Sequence, residues 1–453
     1  MHNLRVEVEK VTQRFKTSIA LIMSLLIGIF AVSANPGHTY ASVDVGAKSA
    51  ILVDAESGKI LFEKEADLTL PPASMTKMMT EYLVMEAVEE GKISWDQKTP
   101  VSQYAFDISA NPEFSGVGLR LDEQYTVREL YEAMAINSDN ATTIALAELV
   151  AGTEGEFVKM MNAKAEEMGL PDYEFVNATG LNNNHLGDNY PEGTDPDATN
   201  MMSAKSAALL AYHLTNDYPE ALEVSSKPTL EFADQTVTNW NWMLPGMPGQ
   251  NLKQFEYEGM DGLKTGYTEL AGNTFTGTAE RDGQRFISVV MKSESRSSRF
   301  NQTRTLLDYG FNQFTRQELL AAGETVEDQD SLSVTKGKED AVAIETSEAL
   351  STLLKSGEQE EYEVEFVISE DQLNEDGELV APVEKGQKIG TAKLVYTGDE
   401  SYGNLVKEEG QTVDIVTSEA VEKANWFMLM LGGIGEFFSD IFTGAVDMVK
   451  GWF

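Results

Sequence analysis

A chain of 453 residues with 34 Lys plus Arg against 74 Asp plus Glu carries a formal charge of −40, which excludes nucleic acid as a partner because that demands a basic surface. With 42 % apolar residues, 36 Gly and only 13 Pro, the body is globular and long enough for two or three domains, each with a real core. The absence of Cys removes disulfides, thiolate zinc sites and Cys nucleophiles, and the four His (His2, His38, His185, His213) are too few for a His-rich metal centre.

At the N-terminus Arg5, Lys10, Arg14 and Lys16 precede an apolar run over residues 18–32, and the small residues Ser33-Ala34 follow. A basic start, an apolar stretch short for a membrane span and a small-residue cleavage site predict a secretory signal over 1–34 and an exported protein. Strand signals at 50–53 and 60–62 flank the turn Glu56-Ser57-Gly58-Lys59 and predict a hairpin. After Pro71-Pro72 a helix is expected from about Ser74, with Met75, Met78, Met79, Tyr82, Leu83 and Met85 at helical spacing. Further helices are expected at 127–136, 141–150 and 203–214, the first two joined by Asn137-Ser138-Asp139-Asn140. Strands around Leu263, at 273–279 and at 286–291, then a helix at 298–309, complete a mixed α/β domain over 42–316.

Composition shifts near Ala321, and segments 362–368, 393–396 and 413–416 read as strands of a small β-rich domain over 319–417. In the last segment, 418–453, Phe427, Met430, Ile434, Phe437, Ile441, Ala445, Met448 and Trp452 recur every three or four residues. This predicts an amphipathic helix lying on a membrane surface, since no uninterrupted apolar stretch is long enough to cross.

Three short motifs carry chemistry. Ser74-Met75-Thr76-Lys77 puts a hydroxyl and an amine on one side of a helix, where a neutral Lys77 takes the Ser74 proton and creates a nucleophile. The pattern recurs at Ser333-Val334-Thr335-Lys336, in the acidic β-rich region without a helix signal, where it reads as accidental. Ser138-Asp139-Asn140 lies at a helix junction, where a hydroxyl and an amide relay a proton and hold a substrate amide. Ser33-Ala34-Asn35 and Ser109-Ala110-Asn111 share its loose form, but one lies at the cleavage site and the other reads as loop before Pro112. Lys264-Thr265-Gly266, on a predicted strand, occurs once; Gly266 lets a ligand approach the backbone, and Lys264, if near Lys77, lowers the Lys77 pKa by repulsion.

In this order, the three motifs match the signature of penicillin-recognising serine enzymes. The flanking Pro71-Pro72-Ala73-Ser74, Phe175-Val176-Asn177-Ala178-Thr179-Gly180-Leu181 and Asp261-Gly262-Leu263-Lys264-Thr265-Gly266-Tyr267-Thr268 closely resemble the low-molecular-mass D-alanyl-D-alanine carboxypeptidases. So do Ala198-Thr199-Asn200, Leu209-Leu210-Ala211-Tyr212-His213-Leu214 and Asn239-Trp240-Asn241-Trp242, and the resemblance covers nearly the whole chain. It implies a transpeptidase/β-lactamase-like α/β domain (an antiparallel sheet flanked by helices), a small β-rich domain and an amphipathic helix that anchors the enzyme at the extracytoplasmic face of the cell membrane.

The resemblance also implies residue roles. Ser74 attacks the carbonyl between two D-alanines at the end of a peptidoglycan stem peptide, and Lys77 accepts its proton. Ser138 passes a proton to the leaving D-Ala, and Asn140 helps hold Lys77 and the substrate. Lys264, Thr265 and Gly266 line the terminal-carboxylate region, and Arg299 is the basic residue on that carboxylate. Backbone N–H groups of Ser74 and Tyr267 form the oxyanion hole. Water hydrolyses the acyl-enzyme, no cofactor or metal is required, and β-lactam antibiotics are implied inhibitors.

A class A β-lactamase is disfavoured, because no Glu followed four residues later by Asn occurs between Ser138 and Lys264. A Ser-His-Asp hydrolase lacks its G-x-S-x-G, and the intact Ser74, Lys77, Ser138 and Lys264 argue against a silent wall-binding module. Transpeptidase or endopeptidase activity stays open, since the motifs do not specify the acceptor. The acid excess fits strong salt, where screening mutes self-repulsion while charge keeps the protein soluble.

Overall fold

The computed structural model describes residues 43–325, 329–398, 402–406 and 412–425. The predicted signal and residues 426–453 of the predicted terminal segment lie outside the described residues. Residues 418–425 are described and, against expectation, are not helical but continue the β-rich part, Val421 pairing with Val383 and Lys423 with Gly337. The chain divides into two units, 1–44 and 45–453, and every strand and helix named below belongs to the second.

The expected hairpin is β1 (Ser49–Asp54) and β2 (Ile60–Lys64). Its turn is tied by Asp54, whose Oδ2 accepts from the Ser57 N–H at 2.9 Å and the Ser57 hydroxyl at 2.6 Å. Far along the chain, β3 (Met260–Thr268), β4 (Gly272–Arg281) and β5 (Gln284–Ser293) join it in one antiparallel sheet of order β2-β1-β5-β4-β3. The central strands are buried almost throughout (Ile51, Leu52, Val53, Ile287, Val289, Val290), because helices cover both faces of the sheet.

Residues Ala73–Thr76 form one 3₁₀ turn and the helix proper, α1, is Lys77–Glu89, so the helix expected from Ser74 begins three residues later. The cause is the Pro72 carbonyl. It accepts the Met75 N–H at 3.2 Å, an i to i+3 bond, while the Thr274 hydroxyl of β4 donates to it at 3.1 Å. Met75, Met78, Met79 and Leu83 are buried behind this turn, each contributing roughly 1.5–3 kcal/mol of apolar burial.

Helix α2 (Val127–Asn137) opens with a capping box between Thr126 and Glu129. Helix α3 (Asn140–Ala151) is capped by Asp139. Helix α4 (Glu154–Glu167) was not foreseen from periodicity: its buried residues Phe157, Val158, Met161 and Ala165 make a narrow stripe in a charged segment. Helix α5 (Ala204–Asp217) packs on β1 and β5, and α6 (Arg296–Gln313) on β4 and β5. Ser109 ends the short helix Gln103–Ser109, where a loop was expected, and its hydroxyl accepts the Leu119 N–H at 2.7 Å.

Strand β6 (Phe314–Leu320) leaves α6 directly and begins the β-rich part. It is followed by β7 (Ser331–Thr335), β8 (Ala341–Thr346), β9 (Leu350–Lys355), β10 (Tyr362–Ile368), β11 (Leu379–Val380), β12 (Lys388–Tyr396) and β13 (Thr412–Thr417). β6 pairs with β9, and the others form a sheet of order β10-β12-β13-β8-β7-β11 around Val342, Ile344, Ile389 and Ile415. The second Ser-x-x-Lys lies on and just after β7, so it lacks the helical geometry that would aim Lys336 at Ser333. This part docks on the β1–β2 turn: the Lys59 ammonium donates to the Tyr362 hydroxyl at 2.7 Å and the Leu353 carbonyl at 3.1 Å, and Arg316 pairs with Asp54 and Glu56. Among the described residues no helix is long and apolar enough to cross a membrane.

Candidate active site

Ser74 lies in the 3₁₀ turn and Lys77 opens α1, so the two share a face across the junction. Lys77 Nζ is 3.1 Å from Ser74 Oγ, 2.8 Å from Asn140 Oδ1 and 2.7 Å from the Thr179 carbonyl oxygen. Lys77 is fully buried. Burial, and then the nearby charge of Lys264, hold its pKa well below the ordinary lysine value, although Asp139, Glu81 and Glu154 pull the other way.

Two glycines fit the backbone around Ser74. Gly180 has φ +83°, and a Cβ there would overlap the Ala73 carbonyl and stand 3.0 Å from Ser74 N. A Cβ on Gly266 would stand 2.6 Å from the Pro72 oxygen and 3.1 Å from Ser74 N. The Ser74 amide is therefore clasped between the 175–181 loop and β3, and Ala73 itself sits at φ +50°, an uncommon conformation for a residue with a Cβ. The loop is held by Asn177, whose Oδ1 accepts from Gly180 N–H at 2.8 Å and Thr179 N–H at 3.1 Å. Asn200 joins it to the turn, donating to Thr76 Oγ1 and the Asn177 carbonyl at 3.0 Å each.

Ser138 is the αL cap of α2, at φ +62°, a conformation that lets the chain turn sharply into α3. Its hydroxyl is buried and makes no hydrogen bond among the described residues; it does not bond Lys77. Asn140 does, and its Nδ2 donates to the Ser115 carbonyl at 3.2 Å, which orients its Oδ1 toward the lysine. Ser115 Oγ in turn donates to the Ser138 carbonyl at 2.7 Å. Asp139 is structural: its two oxygens accept the Thr142 N–H at 2.6 Å and the Val117 N–H at 2.5 Å, and burial raises its pKa.

Lys264, Thr265 and Gly266 lie buried on β3, and Tyr267 beside them is 52 % exposed. Burial lowers the Lys264 pKa to about 8, with Glu81 opposing and Arg299 assisting. Arg299 reaches from α6, its Nη1 donating to the Gly266 carbonyl at 3.1 Å and the Thr274 carbonyl at 3.3 Å. Its Nε is buried without a partner among the described residues. The structure thus joins Ser74, Lys77 and Asn140 by hydrogen bonds and brings Lys264 within charge range; Thr265, Gly266, Tyr267 and Arg299 line the β3 side.

Sequence reasoning missed several members. Thr179 acts through its carbonyl, which no side-chain motif reveals. Glu81, one turn beyond Lys77 on α1, is a buried carboxylate whose pKa is raised to about 7 by burial against the pull of Lys264, Tyr131 and Lys77. Glu154, also raised to about 7 by burial, accepts from the Ala178 N–H and the Tyr104 hydroxyl at 2.9 Å each and so supports the same loop. The i to i+4 spacing of Lys77 and Glu81 was a visible signal.

A serine hydroxyl beside a buried lysine amine, with a second buried lysine on the neighbouring strand, is the arrangement that acyl-enzyme serine hydrolases use. Residues 35–295 match the peptidase S11 family, the D-alanyl-D-alanine carboxypeptidases, and residues 314–423 match the C-terminal domain of penicillin-binding protein 5. The D-alanyl-D-alanine carboxypeptidase DacF of Bacillus subtilis is 33 % identical over 386 residues, 84 % of this chain and 91 % of DacF. Among solved structures, PBP3 of Streptococcus pneumoniae, a peptidoglycan synthesis regulatory factor, aligns with a TM-score of 0.70 and 36 % identity over 83 % of this chain and 99 % of that one. Penicillin-binding protein D2 of Listeria monocytogenes, solved with cefotaxime bound, aligns at 0.50 with 32 % identity over 59 % of this chain and 98 % of its own. The chain belongs to the peptidase S11 family of low-molecular-mass penicillin-binding proteins, and it is a serine D-Ala-D-Ala carboxypeptidase.

Proposed function

We propose that Ser74 is the nucleophile and Lys77 its base, acting on the terminal D-Ala-D-Ala of peptidoglycan stem pentapeptides. The observation that carries this is the threefold environment of the Lys77 amine. Asn140 Oδ1 and the Thr179 carbonyl can only accept, so they take both N–H bonds of a neutral amine. The remaining lone pair faces Ser74 Oγ, whose proton it is placed to receive.

In this reading Ser74 Oγ adds to the penultimate D-Ala carbonyl as its proton passes to Lys77. The oxyanion is held by the Ser74 and Tyr267 N–H groups, where electrostatic stabilisation is worth most. Collapse breaks the peptide bond, and the leaving D-Ala amine takes a proton through Ser138, whose free hydroxyl has room for a new partner. Water, deprotonated by Lys77, then cleaves the ester and restores Ser74. Lys264, Thr265, Gly266 and Arg299 receive the terminal carboxylate, and Asn140 holds the substrate amide.

Removing the last D-Ala takes away the donor for cross-linking, so the enzyme limits it; β-lactams acylate the same serine. The basic-apolar N-terminus and the amphipathic tail support an exported enzyme resting on the extracytoplasmic face of the cell membrane. Incubation with a stem pentapeptide and an amine acceptor tests the reading. D-Ala with tetrapeptide is expected; a cross-linked product in excess of tetrapeptide would make it a transpeptidase.

A further inference from the structure

We propose that Arg296, held between Trp240 and Tyr267 at the cleft mouth, is the outer cation of the carboxylate subsite, receiving the substrate's terminal carboxylate ahead of Lys264, Thr265 and Arg299. The inference rests on the carboxypeptidase reading of the site.

Arg296 opens α6 and is exposed, with its guanidinium carbon 5.2 Å from the Trp240 ring centre and 6.0 Å from that of Tyr267. The two rings belong to opposite walls of the site. Trp240 Nε1 donates to the Asn137 carbonyl at 2.9 Å, on the residue preceding Ser138, whereas Tyr267 follows Gly266 on β3. Arg296 therefore bridges the Ser138 wall and the Lys264 wall.

Its charge is what makes the position informative. Acids outnumber bases by more than two to one, and some exposed cations pair with them, as Arg120 does with Asp122 and Lys159 with Glu156, while others such as Lys48 and Lys292 show no ion pair among the described residues. Among the described residues Arg296 has no such pair. Arg299 lies one turn along α6, and burial first, then repulsion from Arg296, lowers its pKa to about 9. Aromatic faces hold a guanidinium flat without neutralising it, which keeps its fork of N–H donors open to a planar carboxylate. Arg299, 2 % exposed and committed to two backbone carbonyls, cannot reach outward to make the first contact.

The experiment compares Arg296→Gln and Arg296→Lys with wild type on two D-Ala-D-Ala peptides, one with a free terminal carboxylate and one with a carboxamide. Binding is read as the slowing of labelled-penicillin attachment, so it is measured even where turnover is nil. The Gln variant should bind the acid up to about fivefold more weakly, with kcat essentially unchanged. It should bind the carboxamide as wild type does, and the Lys variant should fall between. Equal losses on both peptides, no loss on the acid, or a loss that follows an upstream side-chain carboxylate would each overturn the assignment. Failure of wild type to release D-Ala counts against the carboxypeptidase reading alone; acylation by penicillin against its methyl ester then carries the same comparison.

Discussion

The Lys77 side-chain nitrogen stands 3.1 Å from Ser74 Oγ while two neighbours, Asn140 Oδ1 and the Thr179 carbonyl, offer it only lone pairs. A charged lysine could satisfy all three contacts as donor, but then Ser74 would keep its proton. The neutral amine satisfies the same contacts and, in the proposed mechanism, activates the serine; the surroundings favour that form by burial and by Lys264.

Replacing Lys77 by Ala should therefore slow penicillin acylation by about 10²–10⁴-fold, the range of general-base contributions. Thermal melting should still report a folded protein, because removing a buried amine also removes its desolvation cost. Stopped-flow or quenched labelling measures the rate; acylation within tenfold of wild type would contradict the role.

The proposed mechanism needs Lys77 neutral and Lys264 charged, so kcat/KM should be bell-shaped in pH. Activity rises as Lys77 loses its proton, whose pKa lies well below the ordinary value, and falls through about pH 8 as Lys264 loses its own. Glu81, ionised above about pH 7, supports the charged form of Lys264. Glu81→Gln removes that support, so the alkaline limb should move to lower pH while the maximum rate changes less. An unmoved limb would show that Glu81 has only a packing role.

Gly180→Ala and Gly266→Ala should both damage the site, since each added methyl meets the backbone on either side of the Ser74 amide. At Gly180 the positive φ adds on the order of 1 kcal/mol to that clash. Melting temperature and penicillin acylation should fall together. Retained acylation in both variants would mean that Ser74 is not clasped as described.

These glycines mark the limit of what the sequence revealed. The Ser74, Ser138 and Lys264 motifs were legible because their chemistry lies in side chains at short spacing, and the hairpin, α2, α3 and α5 because their apolar periods are broad. The Thr179 carbonyl was not, because a backbone acceptor is supplied by a fold and not by a residue type. Nor was the 3₁₀ turn under Ser74, which depends on Thr274 donating to Pro72 across 202 residues. Helix α4 escaped because its buried stripe is narrow, and Glu81 because a glutamate on a helix is normally solvated.

Truncation before Trp426 should yield a soluble, active enzyme, and, on the reading that the charge of −40 suits strong salt, activity should be higher in strong salt than in dilute buffer. Fractionation and assays across salt concentrations test both. A truncated form that stays on membranes, or an optimum in dilute buffer, would contradict them.

The central claim is that one serine is acylated with the help of one buried lysine. Intact-mass measurement after incubation with a β-lactam tests it most directly, with wild type beside Ser74→Ala. Wild type should gain one antibiotic mass, located on the peptide carrying Ser74, and Ser74→Ala should gain none. A full adduct on Ser74→Ala would contradict the account.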